Sequence, residues 1–129
     1  RLLGIVPLAL FILAHGIEFI GKTILEQPGP PRMFLRSQFS DFPGLHVFTN
    51  ASYPSGHSLR IVFLGVLFAG TIKKSNLNKT IKLFGYLFIL FVVTSMLVSR
   101  ISLGEHWATD VIGGAILGIS FSLLSLVFI

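Results

Sequence analysis

The chain has no cysteine, which excludes a disulfide framework and thiolate metal ligands and leaves the compartment open. Charge is also scarce: charged residues make up 12% of the 129 residues, where a soluble domain carries about 25%. With 53% hydrophobic residues and a mean hydropathy of +0.85, this is the composition of a membrane protein. The formal net charge of +5 therefore does not point to nucleic acid as a partner. In membrane proteins, basic residues are partitioned between loops and record orientation.

Four apolar runs fill most of the chain, at residues 2–20, 55–72, 81–98 and 111–129. Each is near the ~20 residues a helix needs to cross the hydrocarbon core. The second is the shortest and needs tilt or snorkelling ends to span. The expected fold is all-α, a polytopic membrane helix bundle with four spans in a single domain over residues 1–129. Pro7 can kink the first span, which neighbouring helices tolerate. That run is too long for the apolar core of a signal peptide, and Ala14-His15-Gly16 sits deep within it, so it reads as a span. The start at Arg1 reads as a trimmed N-terminus.

The connections differ in character. Pro28-Gly29-Pro30-Pro31 stops the first helix, and residues 21–54 form the long connection, of a length usually functional or disordered. Its aromatic residues Phe34, Phe39, Phe42, Phe48 and Tyr53 argue that it packs or lies at the membrane interface. Residues 73–80 are short and basic, with Lys73, Lys74 and Lys79 followed by Lys82 and no acid. This turn is the topological marker and is placed in the cytoplasm, with Arg1 on the same side. Residues 21–54 and the turn around residues 99–110 then share the extracytoplasmic face.

That second turn reads SRISLGEHWATD from Ser99 to Asp110. A helix beginning near Glu105 would put His106 and Asp110 on one face at i and i+4. An aspartate so placed accepts the imidazole Nδ1–H and leaves Nε2 as a nucleophile or base. The plainer reading is an interfacial histidine beside an aspartate that suits the helix dipole; taken alone, the two readings are even. Arg100 across the turn marked by Gly104 adds a planar, permanently charged fork suited to phosphate oxygens.

Pro54-Ser55-Gly56-His57 opens the second span and reads as a helix start. Ser55 could be only an N-cap. Alternatively, the Gly56 and His57 N–H groups point at an anion with the dipole behind them, and the His57 imidazole is a general acid. Lys22 closes the first span and is as well read as a snorkelling side chain as a phosphate contact. His15 and Glu18 lie three apart on one face, an ionisable pair near a membrane interface and so a functional candidate. Arg60 reads as an interfacial anchor and His46 as an ordinary loop residue. Gly114 and Gly118 form a G-x-x-x-G that reads as helix packing.

Taken together, these residues resemble the type-2 phosphatidic acid phosphatase and vanadium haloperoxidase superfamily. Pro54, Ser55, Gly56 and His57 match its second motif without departure. Ser99, Arg100, His106 and Asp110 match its third motif at full spacing. The first motif, a lysine followed after six residues by Arg-Pro, is met by Lys22 and Gly29-Pro30. Its arginine is therefore missing, and Arg32 or Arg36 is the candidate replacement. Membrane members of the family usually carry six spans. The likeness runs from Lys22 to the end and implies two spans ahead of Arg1.

The resemblance implies a metal-independent lipid phosphatase with no cofactor. His106 attacks phosphorus to give a phosphohistidine, Asp110 holds its ring, and His57 protonates the leaving oxygen. Lys22, Arg100, Ser99, Ser55 and Gly56 hold the phosphate. The implied partners are a lipid phosphate and the bilayer; the implied location is a bacterial plasma membrane with the site facing out. A polyprenyl diphosphate of the undecaprenyl type, phosphatidate and phosphatidylglycerophosphate all suit the chemistry, and a site on the outer face favours the first. Two alternatives stay open: a phosphotransferase on the same His–His–Asp set, and a non-catalytic subunit that binds or transports lipid phosphate. The missing first-motif arginine favours the latter.

Overall fold

A computed structural model describes residues 4–34 and 51–129. It contains four helices, α1 (Ile5–Leu25), α2 (Gly56–Lys74), α3 (Lys79–Ser102) and α4 (Ala108–Val127), with a short 3₁₀ turn at Arg32–Phe34. All four are long and apolar enough to cross a membrane, and there is no strand among the described residues. The all-α, four-span architecture expected from the sequence is the one observed.

Local chemistry sets the helix ends. Pro7 falls in the first turn of α1, where the missing N–H has no intrahelical partner to lose. Glu26 ends α1 in the left-handed region at φ 34, with Gln27 between it and the proline cluster. Ser55 caps α2 by accepting from Ser58 N at 3.4 Å, a long bond, and Asn78 caps α3 by accepting from Ile81 N at 2.8 Å. At the far end of α3, Gly104 takes φ 72. Gly104 N–H donates to Ile101 O (3.0 Å) and Glu105 N–H to Arg100 O (3.2 Å), which is a Schellman closure.

That closure corrects one expectation. The helix predicted to begin near Glu105 begins at Ala108, because the turn consumes residues 103–106 and Trp107 becomes the N-cap. His106 therefore lies in the turn ahead of α4 rather than on its face.

The helices alternate in direction. α1 packs antiparallel to α2, with Phe11 against Phe63 (5.0 Å between ring centroids) and His15 against Arg60. α2 and α4 run parallel in the closest contact of the bundle. A Cβ on Gly114 would overlap the Ser55 carbonyl, and one on Gly118 would come within 2.7 Å of the Leu59 carbonyl. The two glycines thus let the backbones touch, the packing that small residues serve in membranes. α3 lies antiparallel to α2, with Gly65 facing Val93 and Gly85 facing Ile72. Its own residues are nowhere buried, and Phe84, Phe88 and Phe91 point outward, as lipid-facing side chains do.

The apolar core is small, with Ala14, Leu59, Val62, Phe63 and Val111. Among the described residues buried polar groups outnumber it, and Glu18, Ser55, Ser58 and Asp110 among them gather at the end where α1 finishes and α2 and α4 begin.

Candidate active site

Four helix ends converge there. The Ser55 backbone N–H donates to the Asp110 carbonyl at 2.9 Å, fastening the start of α2 to the first turn of α4. Trp107 Nε1 donates to the Pro28 carbonyl at 3.0 Å, and Ser52 N–H donates to the Gln27 carbonyl at 2.7 Å. The segment after α1 is thereby held against the heads of α2 and α4.

Asp110 is fully buried. Its Oδ2 accepts from Trp107 N at 2.9 Å, half of a capping box, and lies 3.5 Å from His106 Nδ1. That separation exceeds a charge-assisted hydrogen bond by several tenths of an ångström, and Nδ1 has no hydrogen-bond partner among the described residues. Catalytic hydrogen bonds are often long before substrate binds. The aspartate thus serves the helix, as the plainer reading has it, and also faces the histidine.

His106 stands outside the spans, and its pKa is held below the ordinary histidine value, first by burial and then by the charge of Lys22. The charges of Asp110 and Glu105 pull the other way. The net direction favours the neutral imidazole, the form in which a ring nitrogen can attack. His57, in the first turn of α2, is within Coulombic range of Arg100, Arg60, His106 and Glu105. With the Ser55–Asp110 bond, this places the two histidines of the separate motifs at the same end of the bundle.

The cations are less free than the sequence suggests. Lys22 Nζ donates to Glu18 Oε1 at 2.6 Å. Arg100 Nη1 donates to Glu105 Oε2 across the turn, while its buried Nε has no partner among the described residues. Arg60 Nε donates to His15 Nε2 at 2.9 Å. Glu18 in turn lies directly against Gly56, where an added Cβ would overlap its carboxylate.

Other expected contacts sit differently. Ser55 Oγ is fully buried and used as the α2 cap. Ser99 Oγ donates to the Met96 carbonyl at 2.8 Å within its own helix. Arg36 lies outside the described residues, as do His46, Phe39, Phe42, Phe48 and the side chain of Arg32. Sequence reasoning passed over Glu105 and Trp107, and left Glu18 unassigned. For Glu18 the signal was present as the i,i+4 spacing to Lys22.

A cavity of about 370 Å³ opens beside His106, walled by Pro30, Phe34, Ile101, Gly104 and Trp107. Its size is within the range of small-molecule sites and its wall is mainly apolar. No group of three His, Asp or Glu side chains among the described residues is arranged to hold a metal ion. The arrangement can hold an anion between cations and helix ends, present a neutral imidazole to it, and offer a second imidazole nearby.

The sequence profile of the PAP2 superfamily matches residues 3–129. The chain is also 30% identical to an undecaprenyl-diphosphatase of Sulfolobus acidocaldarius, the match covering 97% of this chain and 54% of that protein. It thus spans about half the length of the curated relative it matches. No solved structure matches.

Proposed function

The chain belongs to the PAP2 superfamily, and from that premise we propose that it is an integral membrane phosphatase acting on a lipid phosphomonoester or diphosphate through a phosphohistidine. The observation that carries the reading is the bond from Ser55 N–H to the Asp110 carbonyl. It puts His57 beside the His106–Asp110 pair at the end of the bundle where Lys22 and Arg100 stand.

In the first step His106 attacks phosphorus in line. The P–N bond forms as the P–O bond to the lipid breaks, and protonated His57 delivers its proton to the leaving oxygen. Asp110 holds the ring and balances the charge that develops on it. In the second step water attacks phosphorus, gives a proton to His57, and the P–N bond breaks to release inorganic phosphate. Phosphoryl transfer needs mainly positioning and charge stabilisation. Lys22, Arg100 and the free N–H groups at the head of α2 supply the charge without a metal.

The lipid is a polyprenyl diphosphate in this reading, supported by the likeness to the Sulfolobus undecaprenyl-diphosphatase. The apolar cavity beside His106 is suited to the carbons next to the phosphate. Lys73, Lys74, Lys79 and Lys82 cluster at the end of the bundle away from the site, which supports an extracytoplasmic site by the distribution of basic residues.

The test is phosphate release from mixed micelles of several lipid phosphates with excess chelator, comparing the protein with His106→Ala. Chelator-resistant release that vanishes in the variant supports the reading, and the ranking of lipids names the substrate. Equal release from both proteins, or none from either, overturns it.

A further inference from the structure

Each cation proposed to hold phosphate already holds a carboxylate. Lys22 is paired with Glu18 at 2.6 Å, and Arg100 is paired with Glu105. Neither acid belongs to the motifs that define the site. The whole chain has only five acidic residues, yet Glu18, Glu105 and Asp110 all stand at this one end. Asp110 is accounted for by His106 and the α4 cap. The other two sit where a phosphate would be attracted, and their negative charge opposes one.

Glu18 is buried and Glu105 half-buried, so each is held against its cation largely out of bulk water. The side chain of Glu18 is 7% exposed and that of Glu105 is 23% exposed. Glu18 lies against Gly56 at the N-terminus of α2, a position that favours an anion. Its carboxylate therefore occupies ground that a phosphate oxygen would otherwise take, with Lys22 as its counter-ion.

A site at the ends of membrane helices faces a specific competitor. The bilayer presents phosphodiester headgroups, each with a single negative charge, in great excess over any lipid substrate. Bare cations at that depth would be filled by them. A terminal phosphate instead carries about −1.5 to −2 charges near neutral pH and three acceptor oxygens. Exchanging the two carboxylates for one diester leaves the two cations short of a negative charge, whereas exchanging them for a dianion keeps the balance. Selectivity of this kind comes from penalising the wrong ligand.

We propose that Glu18 and Glu105 are built-in counter-anions of the phosphate cradle, which a dianionic terminal phosphate displaces and a phosphodiester headgroup does not. They are specificity-determining residues that act through Lys22 and Arg100. The proposal rests on the phosphatase reading for the purpose of the cradle, and its test does not depend on turnover.

The protein's single tryptophan is Trp107, which lines the cavity with His106, so its fluorescence reports on the cradle. Inorganic phosphate and dimethyl phosphate are titrated in non-ionic detergent at matched ionic strength, against wild type, Glu105→Gln, Glu18→Gln and Glu105→Asp. Wild type is expected to bind inorganic phosphate at least about tenfold more tightly than the diester. The two Gln variants are expected to lose most of that preference by gaining affinity for the diester, and Glu105→Asp to keep it. Folded Gln variants with wild-type discrimination would overturn the proposal. So would a wild type that binds the two anions alike, which decides the matter even if the variants do not fold. Selective binding without phosphate release would leave this proposal standing and remove the phosphatase reading instead.

Discussion

The N–H of Ser55 donates to the carbonyl of Asp110 at 2.9 Å, so the serine of one motif and the aspartate of the other share a backbone hydrogen bond. The two histidines are positioned by that bond and by the glycines beneath it. Gly114 lets α4 approach until the Ser55 carbonyl and the Ser58 Cβ leave no room for a side chain.

Gly114→Ala is therefore expected to force α2 and α4 apart at the site. Overpacking of this kind costs about 1–3 kcal/mol, and activity should fall further than stability, because the shift acts on the relative placement of His57 and His106. Gly16 on α1 has nothing within 4 Å of an added Cβ. Gly16→Ala should leave activity intact and stabilise by up to about 1 kcal/mol from helix propensity. Thermal unfolding in detergent, run beside an activity assay, separates the two.

A second prediction concerns pH. His106 attacks only when neutral, and burial with Lys22 holds its pKa below the ordinary histidine value against the pull of Asp110 and Glu105. The acid limb of kcat/KM should accordingly fall below the ordinary imidazole range. Asp110→Asn removes an upward influence, so the limb should move to still lower pH while the maximal rate drops by about 10²–10⁴-fold. Lys22→Met removes a downward influence and should move the limb up. A limb that stays put in both variants would show that another group controls it.

Much of this was legible in the sequence, for physical reasons. Length and apolarity define a span, and the second run, read as residues 55–72, is α2 at Gly56–Lys74. The adjacency of His106 and Asp110 was legible from their spacing, but its cause was not. Gly104 signals a turn without showing that a Schellman closure will take up Glu105 and His106 before α4 starts. Asp110 reaches His106 because it sits in the first turn of α4 and faces back over the N-terminus. The pairing of Arg60 with His15 spans 45 residues, and no local pattern encodes it. The Arg100–Glu105 pair follows from the turn geometry and was equally hidden.

The third prediction separates the two histidines by leaving group. His57 donates a proton to the departing oxygen, so its removal should matter in proportion to how poorly that oxygen leaves. His57→Ala should lose about 10²–10⁴-fold on a lipid alkyl phosphate and much less on an aryl phosphate whose phenolate leaves unaided. His106→Ala should lose both alike. A His57→Ala variant with equal losses on the two substrates would remove the general-acid role.

The last prediction turns on the guanidinium of Arg100. One arm is held by Glu105, and its buried Nε has no partner among the described residues. The fork thus has a free donor for a phosphate and gains more as Glu105 gives way. A lysine at this position retains the charge but offers a single compact ammonium, which cannot meet phosphate oxygens with a planar fork. Arg100→Lys should therefore raise KM and lower kcat/KM by about tenfold or more, as expected for losing a charge-assisted hydrogen bond. If the lysine stays committed to Glu105, then Glu105→Gln should partly restore the loss, and the two changes will not add. Additive effects in the double-mutant cycle would mean that Arg100 and Glu105 act independently, and the competition between carboxylate and phosphate for this side chain would have to be abandoned.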